Sequence, residues 1–217
     1  MKTSTERSDM FEDRRDAGIK LARALNKYRE AGVLVLAIPR GGVEVACQVA
    51  KHLNADFYLL VTRKLPFPDN PEAGFGAIAE DGSTFIFEDA AMWLSESLID
   101  RIVEAQYGEI RRRIDVLRKG KPLPEMTGRM VILVDDGLAM GSTMRASIKL
   151  CRKREVSKIV VAVPVAGKEV AEDIGNLVDN IVVLEMPANF MAVAQVYRNW
   201  YDVSDEEVLA ILEKGCK

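Results

Sequence analysis

The residues best suited to chemistry follow one apolar run in the second half of the chain. Residues 131–144, VILVDDGLAMGSTM, place two adjacent acids, Asp135 and Asp136, before a loop of small residues and a Ser-Thr pair. Backbone N–H groups of such a loop, together with the N-terminus of a following helix, can hold a phosphate dianion. The two carboxylates can accept hydrogen bonds from vicinal sugar hydroxyls or approach a magnesium ion through water. The segment therefore predicts a binding site for a phosphorylated sugar.

A second candidate contact follows the first predicted core strand. An unbroken apolar run, residues 33–38, ends in a Pro-Arg-Gly-Gly turn. Glycines let a backbone approach a ligand closely, and an arginine can pair with pyrophosphate oxygens. Pro39, Arg40, Gly41 and Gly42 are therefore a candidate ligand contact, and the alternative interpretation is a plain turn with a solvated arginine.

Arg63 and Lys64 follow the next predicted strand, residues 56–61. Two positive charges at a strand end can stabilise a leaving pyrophosphate, on which negative charge builds up during the reaction. We therefore assign Arg63 and Lys64 as the candidate catalytic residues. The alternative interpretation is a solvated strand end without a role in chemistry.

Alternating strands and helices must position these residues. Apolar runs predict strands over residues 33–38, 56–61, 130–134, 158–165 and 180–186. Helical spacing predicts helices over residues 8–29, 43–53, 89–118 (with a break near Leu94-Ser95), 142–154, 167–177 and 205–214. Continuous apolar strands that alternate with helices are typical of an α/β fold with a doubly wound, mainly parallel sheet. Ligands in such folds bind where the carboxyl ends of the strands lead into loops.

Two segments stand outside this alternation. Residues 63–83 contain three prolines, three glycines and no helical period, which predicts a flexible loop over the site. Within it, GAIA and TFIF can form a short hairpin about Glu80-Asp81-Gly82. Residues 187–201 are rich in aromatic side chains and follow the last strand, so they can stack on a flat ligand. Residues 187–217 and the N-terminal helix 8–29 are therefore candidates for a small hood or flanking elements.

Length, charge and cysteine content limit the possible functions. The chain has 217 residues, which predicts a single domain over 1–217, and 30 Lys and Arg against 33 Asp and Glu argue against DNA or RNA as a partner. No apolar run is long enough for a membrane span, and residues 1–16 lack the apolar core of a signal peptide. Three distant cysteines and one histidine form no zinc or disulfide pattern. We therefore expect a cytoplasmic protein with free thiols and no membrane partner.

The sequence VILVDDGLAMGSTM resembles the phosphoribosyl-pyrophosphate (PRPP) signature of type I phosphoribosyltransferases, and it is most similar to the adenine-type form V-D-D-x-L-A-T-G-G-T-M. The resemblance implies a Rossmann-type core, a flexible loop that closes over PRPP, which would be 63–83, and a variable hood for the base. It also implies that Asp135 and Asp136 hold the ribose hydroxyls and that Pro39, Arg40, Gly41 and Gly42 bind pyrophosphate. The residues implied in PRPP binding are Asp135, Asp136, Gly137, Leu138, Ala139, Met140, Gly141, Ser142 and Thr143.

Two departures from that signature bear on the substrate. Met140 stands where the family usually has threonine, so one hydroxyl contact to the 5-phosphate is missing. Ala139 stands where hypoxanthine-guanine enzymes carry an aspartate as general base, which disfavours a 6-oxopurine substrate.

The resemblance implies transfer of the 5-phosphoribosyl group from magnesium-bound PRPP to a nucleobase or related nitrogen nucleophile, with release of pyrophosphate. It also implies a homodimer. Two alternatives on the same fold remain open: a regulator that senses PRPP or a nucleotide, and a hydrolase of a phosphoribosyl compound. The sequence does not identify the base.

Overall fold

A computed structural model describes residues 11–216 of the chain, which form two sheets with helices packed around them. The strands are β1 (Leu34–Ala37), β2 (Asp56–Leu59), β3 (Thr62–Phe67), β4 (Asn70–Ala79), β5 (Thr84–Ile86), β6 (Met130–Val134), β7 (Lys158–Val165) and β8 (Asn180–Glu185). The helices are α1 (Arg14–Ala24), α2 (Gly42–Leu53), α3 (Glu88–Ala91), α4 (Glu96–Arg118), α5 (Ser142–Lys153), α6 (Lys168–Gly175) and α7 (Asp205–Glu213).

The larger sheet is parallel, with strand order β2-β1-β6-β7-β8. β1 and β6 are fully apolar central strands, and helices cover both of their faces, which explains their unbroken hydrophobic sequences. In register, Ala37 at the end of β1 lies between Leu59 of β2 and Val134 of β6. The turn that follows β1 and the acids that follow β6 therefore emerge side by side. The predicted α/β fold is confirmed.

The smaller sheet corrects the prediction that residues 63–83 are irregular. β3 and β4 form an antiparallel hairpin, and β5 adds a third strand. The prolines misled the prediction because Pro66 lies where the β3–β4 register shifts, at a bulge that needs no ladder hydrogen bond there. The short hairpin of GAIA and TFIF is confirmed, since residues 76–78 pair with residues 84–86.

A separate apolar cluster fixes the hairpin to α4. Leu65, Phe75 and Ile78 are buried and pack with Ile110 of α4. At the base of the hairpin, Glu80 accepts a hydrogen bond from the Val61 N–H and forms a 2.7 Å ion pair with Arg118. The hairpin of β3 and β4 is therefore anchored both along its buried side chains and at its base.

The helix boundaries largely follow their capping residues. Asp13 caps α1, which ends at Ala24, so the predicted helix 8–29 was too long; its first residues, 8–10, lie outside the described part of the chain. The predicted break in helix 89–118 is confirmed, because Ser95 caps a new helix there. The N-terminal residues for which no signal peptide is expected also lie mainly outside the described range.

The expectation of free thiols was wrong for two of the cysteines. Cys47 on α2 and Cys216 after α7 form a disulfide across 169 residues of sequence, and Cys151 is free and buried. The pairing depends on the C-terminal segment packing on α2, which cysteine spacing does not reveal. Among the helices of residues 11–216, none combines the length and the apolar character that a membrane span requires.

Candidate active site

The pyrophosphate turn and the acid pair lie against each other at the carboxyl edge of the parallel sheet. A Cβ added to Gly41 would lie 1.9 Å from Asp136 Oδ2, and one added to Gly42 would lie 2.9 Å from Asp135 Oδ1. A side chain at Gly41 would displace the Asp136 carboxylate, and one at Gly42 would also collide with the backbone of Val134 and Asp135. The two glycines are thus required because the turn packs directly on the acids. The structure brings together two segments that the sequence could only place on separate strands.

Asp136 is held by three groups. Its Oδ2 accepts a hydrogen bond from Arg14 Nε at 2.8 Å, within an ion pair in which the two side chains are 3% and 14% exposed. Its backbone carbonyl accepts a hydrogen bond from the Tyr197 hydroxyl at 2.7 Å, and its N–H donates to Asp135 Oδ1 at 2.9 Å. The carboxylate is therefore fixed by the protein itself.

Arg14 is a site residue that the sequence interpretation missed. Its Nη1 donates to the Tyr201 carbonyl at 2.9 Å, and its guanidinium lies 3.9 Å from the centre of the Trp200 ring. A signal was present, because Arg14, Ala17, Gly18 and Leu21 form the buried stripe of α1. An arginine at helical spacing within an apolar stripe indicates a buried ionic partner.

Burial shapes the electrostatics of the acid pair. It raises the pKa of Asp135 well above the ordinary value, and the neighbouring Asp136 carboxylate raises it further. Burial also raises the pKa of Asp136, and the Arg14 guanidinium opposes that rise. Negative charge on Asp135 is thus disfavoured in the free protein, so a ligand that brings hydroxyl donors or a cation would stabilise it.

The phosphate loop borders a cavity of about 290 Å³. Gly141 has a φ of +73° and is the N-cap residue directly before α5. The Leu138 N–H donates to the Val165 carbonyl at 2.9 Å, which fixes the loop after β6 to the end of β7. Met140 is 55% exposed, so its side chain is not packed beneath the loop. The cavity is lined by Gly137, Leu138, Ala139, Met140, Gly141, Ser142, Thr143 and Val193, and across from them by Lys64, Glu72, Ala73 and Gly74 of the hairpin.

Arg63 and Lys64 point to different places. Because side chains alternate along a strand, Arg63 faces α4 and donates to Gln106 Oε1 at 3.0 Å, and Lys64 lines the phosphate-loop cavity and donates to the Glu72 carbonyl. Burial lowers the pKa of Arg63, with further lowering from Arg113 and Arg40. The structure therefore separates the two cations: Arg63 lies against α4, and Lys64 borders the phosphate-loop cavity.

A second cavity, of about 630 Å³, adjoins the first at Ala139. Its lining is mixed, with Val170, Met186, Pro187 and Phe190 as apolar residues and Lys168 and Glu169 as charged ones. Among the aromatic residues of segment 187–201, Phe190 faces this cavity, whereas Tyr197 and Trp200 pack around Arg14 and Asp136. The aromatic residues of the predicted hood therefore lie in two different places, one at the second cavity and the other around the Arg14–Asp136 pair.

Magnesium is the cofactor that the sequence predicts at the acid pair, through water. Within residues 11–216, no three His, Cys, Asp or Glu side chains lie together as a metal-binding group. Arg14 engages Oδ2 of Asp136, and the Asp136 N–H engages Oδ1 of Asp135, so each carboxylate keeps one oxygen for a water-mediated contact. The residues thus fit a magnesium ion held mainly by phosphate oxygens of its ligand, as is common for this metal.

Comparisons with known proteins define the class. A family model described as the phosphoribosyl transferase domain matches residues 8–199. The chain belongs to this family. Two relatives from Mycobacterium tuberculosis, strains CDC 1551/Oshkosh and H37Rv, are provisionally named phosphoribosyl transferases and are 40% identical over 208 residues, covering 95% of this chain and 47% of the relative. The crystal structure of TT1426 from Thermus thermophilus is 37% identical, with a TM-score of 0.78, over 94% of this chain and 98% of that one.

The chain spans about half the length of the curated relatives it matches.

Proposed function

We propose that this chain transfers the 5-phosphoribosyl group of PRPP to a nitrogen nucleophile and releases pyrophosphate. The observation that supports this best is the contact between the turn 39–42 and the acid pair, beside a phosphate loop at the same sheet edge. A ligand with a phosphate, a ribose and a pyrophosphate in line would contact all three segments. PRPP has these groups in that order.

Each segment would have a separate task. The loop 137–143 and Lys64 would bind the 5-phosphate, and Asp135 would accept hydrogen bonds from the ribose hydroxyls. Arg40 would hold the pyrophosphate, on which charge accumulates as its bond to C1 breaks. Arg63, which donates to Gln106 of α4, would contribute through its positive charge alone. The nucleophile's nitrogen forms the new bond to C1, so no covalent protein intermediate is required. Bound magnesium would neutralise part of the pyrophosphate charge.

The second cavity would bind the acceptor. The Phe190 ring favours a flat ligand, and Ala139 offers no side-chain acceptor for a proton or a polar ring edge. We therefore propose a nucleobase-like acceptor that is recognised mainly by shape and by backbone groups. A 6-oxopurine is disfavoured on the same ground.

The alternative function is a PRPP or nucleotide sensor. Two observations favour it: Met140 replaces a hydroxyl in the phosphate loop, and Asp136, expected to bind ribose, is engaged by Arg14. A hydrolase of a phosphoribosyl compound would use the same site with water as the nucleophile.

The partners and the location of the whole protein are also proposals, because the chain matches only about half of each curated relative. We propose a cytoplasmic homodimer that acts on small molecules, without nucleic acid or membrane partners.

One assay separates the three functions. Pyrophosphate release from PRPP and magnesium would be measured with and without adenine, hypoxanthine, uracil, orotate and benzimidazole. A transferase releases pyrophosphate only with an acceptor, a hydrolase releases it without one, and a sensor binds PRPP without turnover. The Asp135→Asn variant should lose PRPP affinity in all three cases. Wild-type protein that binds no PRPP in calorimetry would contradict the proposal.

A further inference from the structure

The Arg14–Asp136 pair forms the floor beneath the pyrophosphate turn. Relative to a Cβ built on Gly41, Asp136 Oδ2 would lie at 1.9 Å and Arg14 Nε at 3.1 Å. The carboxylate and the guanidinium therefore both contact the space directly under this residue. A shift of either group would move the backbone of the turn.

From this geometry we infer that Arg14 and Asp136 are positioning residues that set the affinity for pyrophosphate by fixing the turn 39–42. The inference rests on the proposed function, because it takes the turn 39–42 as the pyrophosphate site. It adds a task in holding the turn to the role that the resemblance implies for Asp136, which is direct contact with a ribose hydroxyl.

The surroundings of the pair make it rigid. Arg14 donates to Asp136 Oδ2 and to the Tyr201 carbonyl from two different nitrogens, and the Trp200 ring covers its face. The Tyr197 hydroxyl holds the Asp136 carbonyl at 2.7 Å. Supporting groups that lock a side chain in this way keep a binding residue in its productive position.

The pair also links the turn to a distant part of the sequence. α1 supplies Arg14, and the segment after β8 supplies Tyr197, Trp200 and Tyr201. The hydrogen bonds of Arg14 go to Asp136 and Tyr201 and to none of the residues of the phosphate loop. That loop is fixed separately, by its own backbone hydrogen bond to β7. Disturbing Arg14 should therefore affect the pyrophosphate end of the site and spare the 5-phosphate end.

The Arg14→Lys variant tests this separation. Lysine keeps the positive charge next to Asp136 but lacks the planar fork that reaches two acceptors at once. Calorimetry would measure the affinity for inorganic pyrophosphate with magnesium and, separately, for ribose 5-phosphate. We expect pyrophosphate to bind about five- to tenfold more weakly, which corresponds to the loss of roughly one ordinary hydrogen bond, and ribose 5-phosphate to bind within about twofold of wild type.

The matched control is Arg118→Lys. Arg118 is also buried and pairs with Glu80 at 2.7 Å, but it lies at the base of the hairpin and supports the Leu59 carbonyl there. Its replacement should lower the melting temperature without a selective loss of pyrophosphate affinity. Should Arg14→Lys fail to fold, Tyr197→Phe removes only the hydroxyl that holds the Asp136 carbonyl, and it should weaken pyrophosphate binding in the same selective way.

Two results would overturn the inference while leaving the proposed function intact: unchanged pyrophosphate affinity in the folded Arg14→Lys variant, or equal losses for both ligands. The second result would mean that Arg14 acts only on general stability. Wild-type protein that binds neither ligand would instead remove the proposed function, and the inference with it.

Discussion

Gly41 lies directly on the carboxylate of Asp136, so closely that a methyl group at this glycine would lie 1.9 Å from Asp136 Oδ2. This contact joins two adjacent strands at the point where both lead into the site. The turn therefore requires glycine at position 41 because a larger side chain would collide with Asp136, and not because of the backbone conformation.

The Gly41→Ala variant should therefore lose PRPP and pyrophosphate binding by more than about tenfold, because either the turn or the Asp136 carboxylate must move. Calorimetry with both ligands provides the measurement. Gly108→Ala is the control: this glycine lies inside α4 with nothing within 4 Å of an added Cβ, so alanine should stabilise the protein by about 0.5–1 kcal/mol. Normal affinity in Gly41→Ala would show that the turn is not part of the binding site.

The Met140→Thr variant should bind ribose 5-phosphate up to about fivefold more tightly, because it restores a hydroxyl worth roughly 1 kcal/mol to the phosphate loop. The melting temperature should hardly change, since Met140 is 55% exposed and its removal opens no cavity. Met191→Thr, at a methionine that is 85% exposed outside the loop, is the control and should alter neither quantity. Weaker binding in Met140→Thr would mean that this position does not contact the 5-phosphate.

Mobility of the hairpin should be confined to its tip. Residues 68–72 are exposed, whereas Phe75, Ala77 and Ile78 are buried in β4. We expect amide hydrogen exchange at the tip to be fast in the free protein and to slow down with PRPP and magnesium, because Lys64 and Glu72 border the phosphate-loop cavity. Amides of Phe75 to Ala79 should be protected in both states. Tip amides that exchange equally with and without ligand would exclude closure over the site.

Native protein should contain no thiol that reacts readily with a disulfide reagent at neutral pH. Cys47 and Cys216 are paired, and burial raises the pKa of the Cys151 thiol to about 12, so its thiolate is scarce. Titration in denaturant should reveal one thiol, and titration after reduction should reveal three. The Cys47→Ser variant, which leaves Cys216 unpaired, should expose one additional thiol without reduction. Three reactive thiols in unreduced, denatured protein would contradict the pairing.

Glu109 should contribute to stability in a pH-dependent way. Its hydrogen bonds and ion pairs with Arg112 and Arg113 lower the pKa of Glu109 to about 2. Because the folded-state pKa lies below the ordinary value, the unfolded chain binds the proton more readily, and this stabilisation is present above about pH 5 and lost as the pH falls toward 2. Urea unfolding of wild type and Glu109→Gln should differ by about 1 kcal/mol at pH 7, after solvent screening, and by less at about pH 3. A difference that is constant with pH would refute the assignment.

The parallel sheet was predictable because its strands are buried on both faces and carry unbroken apolar sequences, as in residues 130–134. The β3–β4 hairpin was not predictable, because Pro66 at a register shift resembles a loop residue in sequence. Arg14 was overlooked for a different reason: its partner Asp136 is 122 residues away, and only the fold brings the two together. The acid pair was found because neighbouring acids after an apolar run are visible locally, but the ion pair that holds Asp136 depends on that distant arginine.

The pairing of β1 with β6 has a consequence for how the protein assembles. The turn 39–42 and the acid pair meet only after the chain has closed a long loop that contains the hairpin and α4, and long-range parallel pairing of this kind is slow to form. In a partly folded chain that has made its hairpin and helices, the two halves of the site would still be apart. Ligand should therefore recognise only chains that have completed the central sheet, so its presence would raise the population of the native state and report on the last stage of folding.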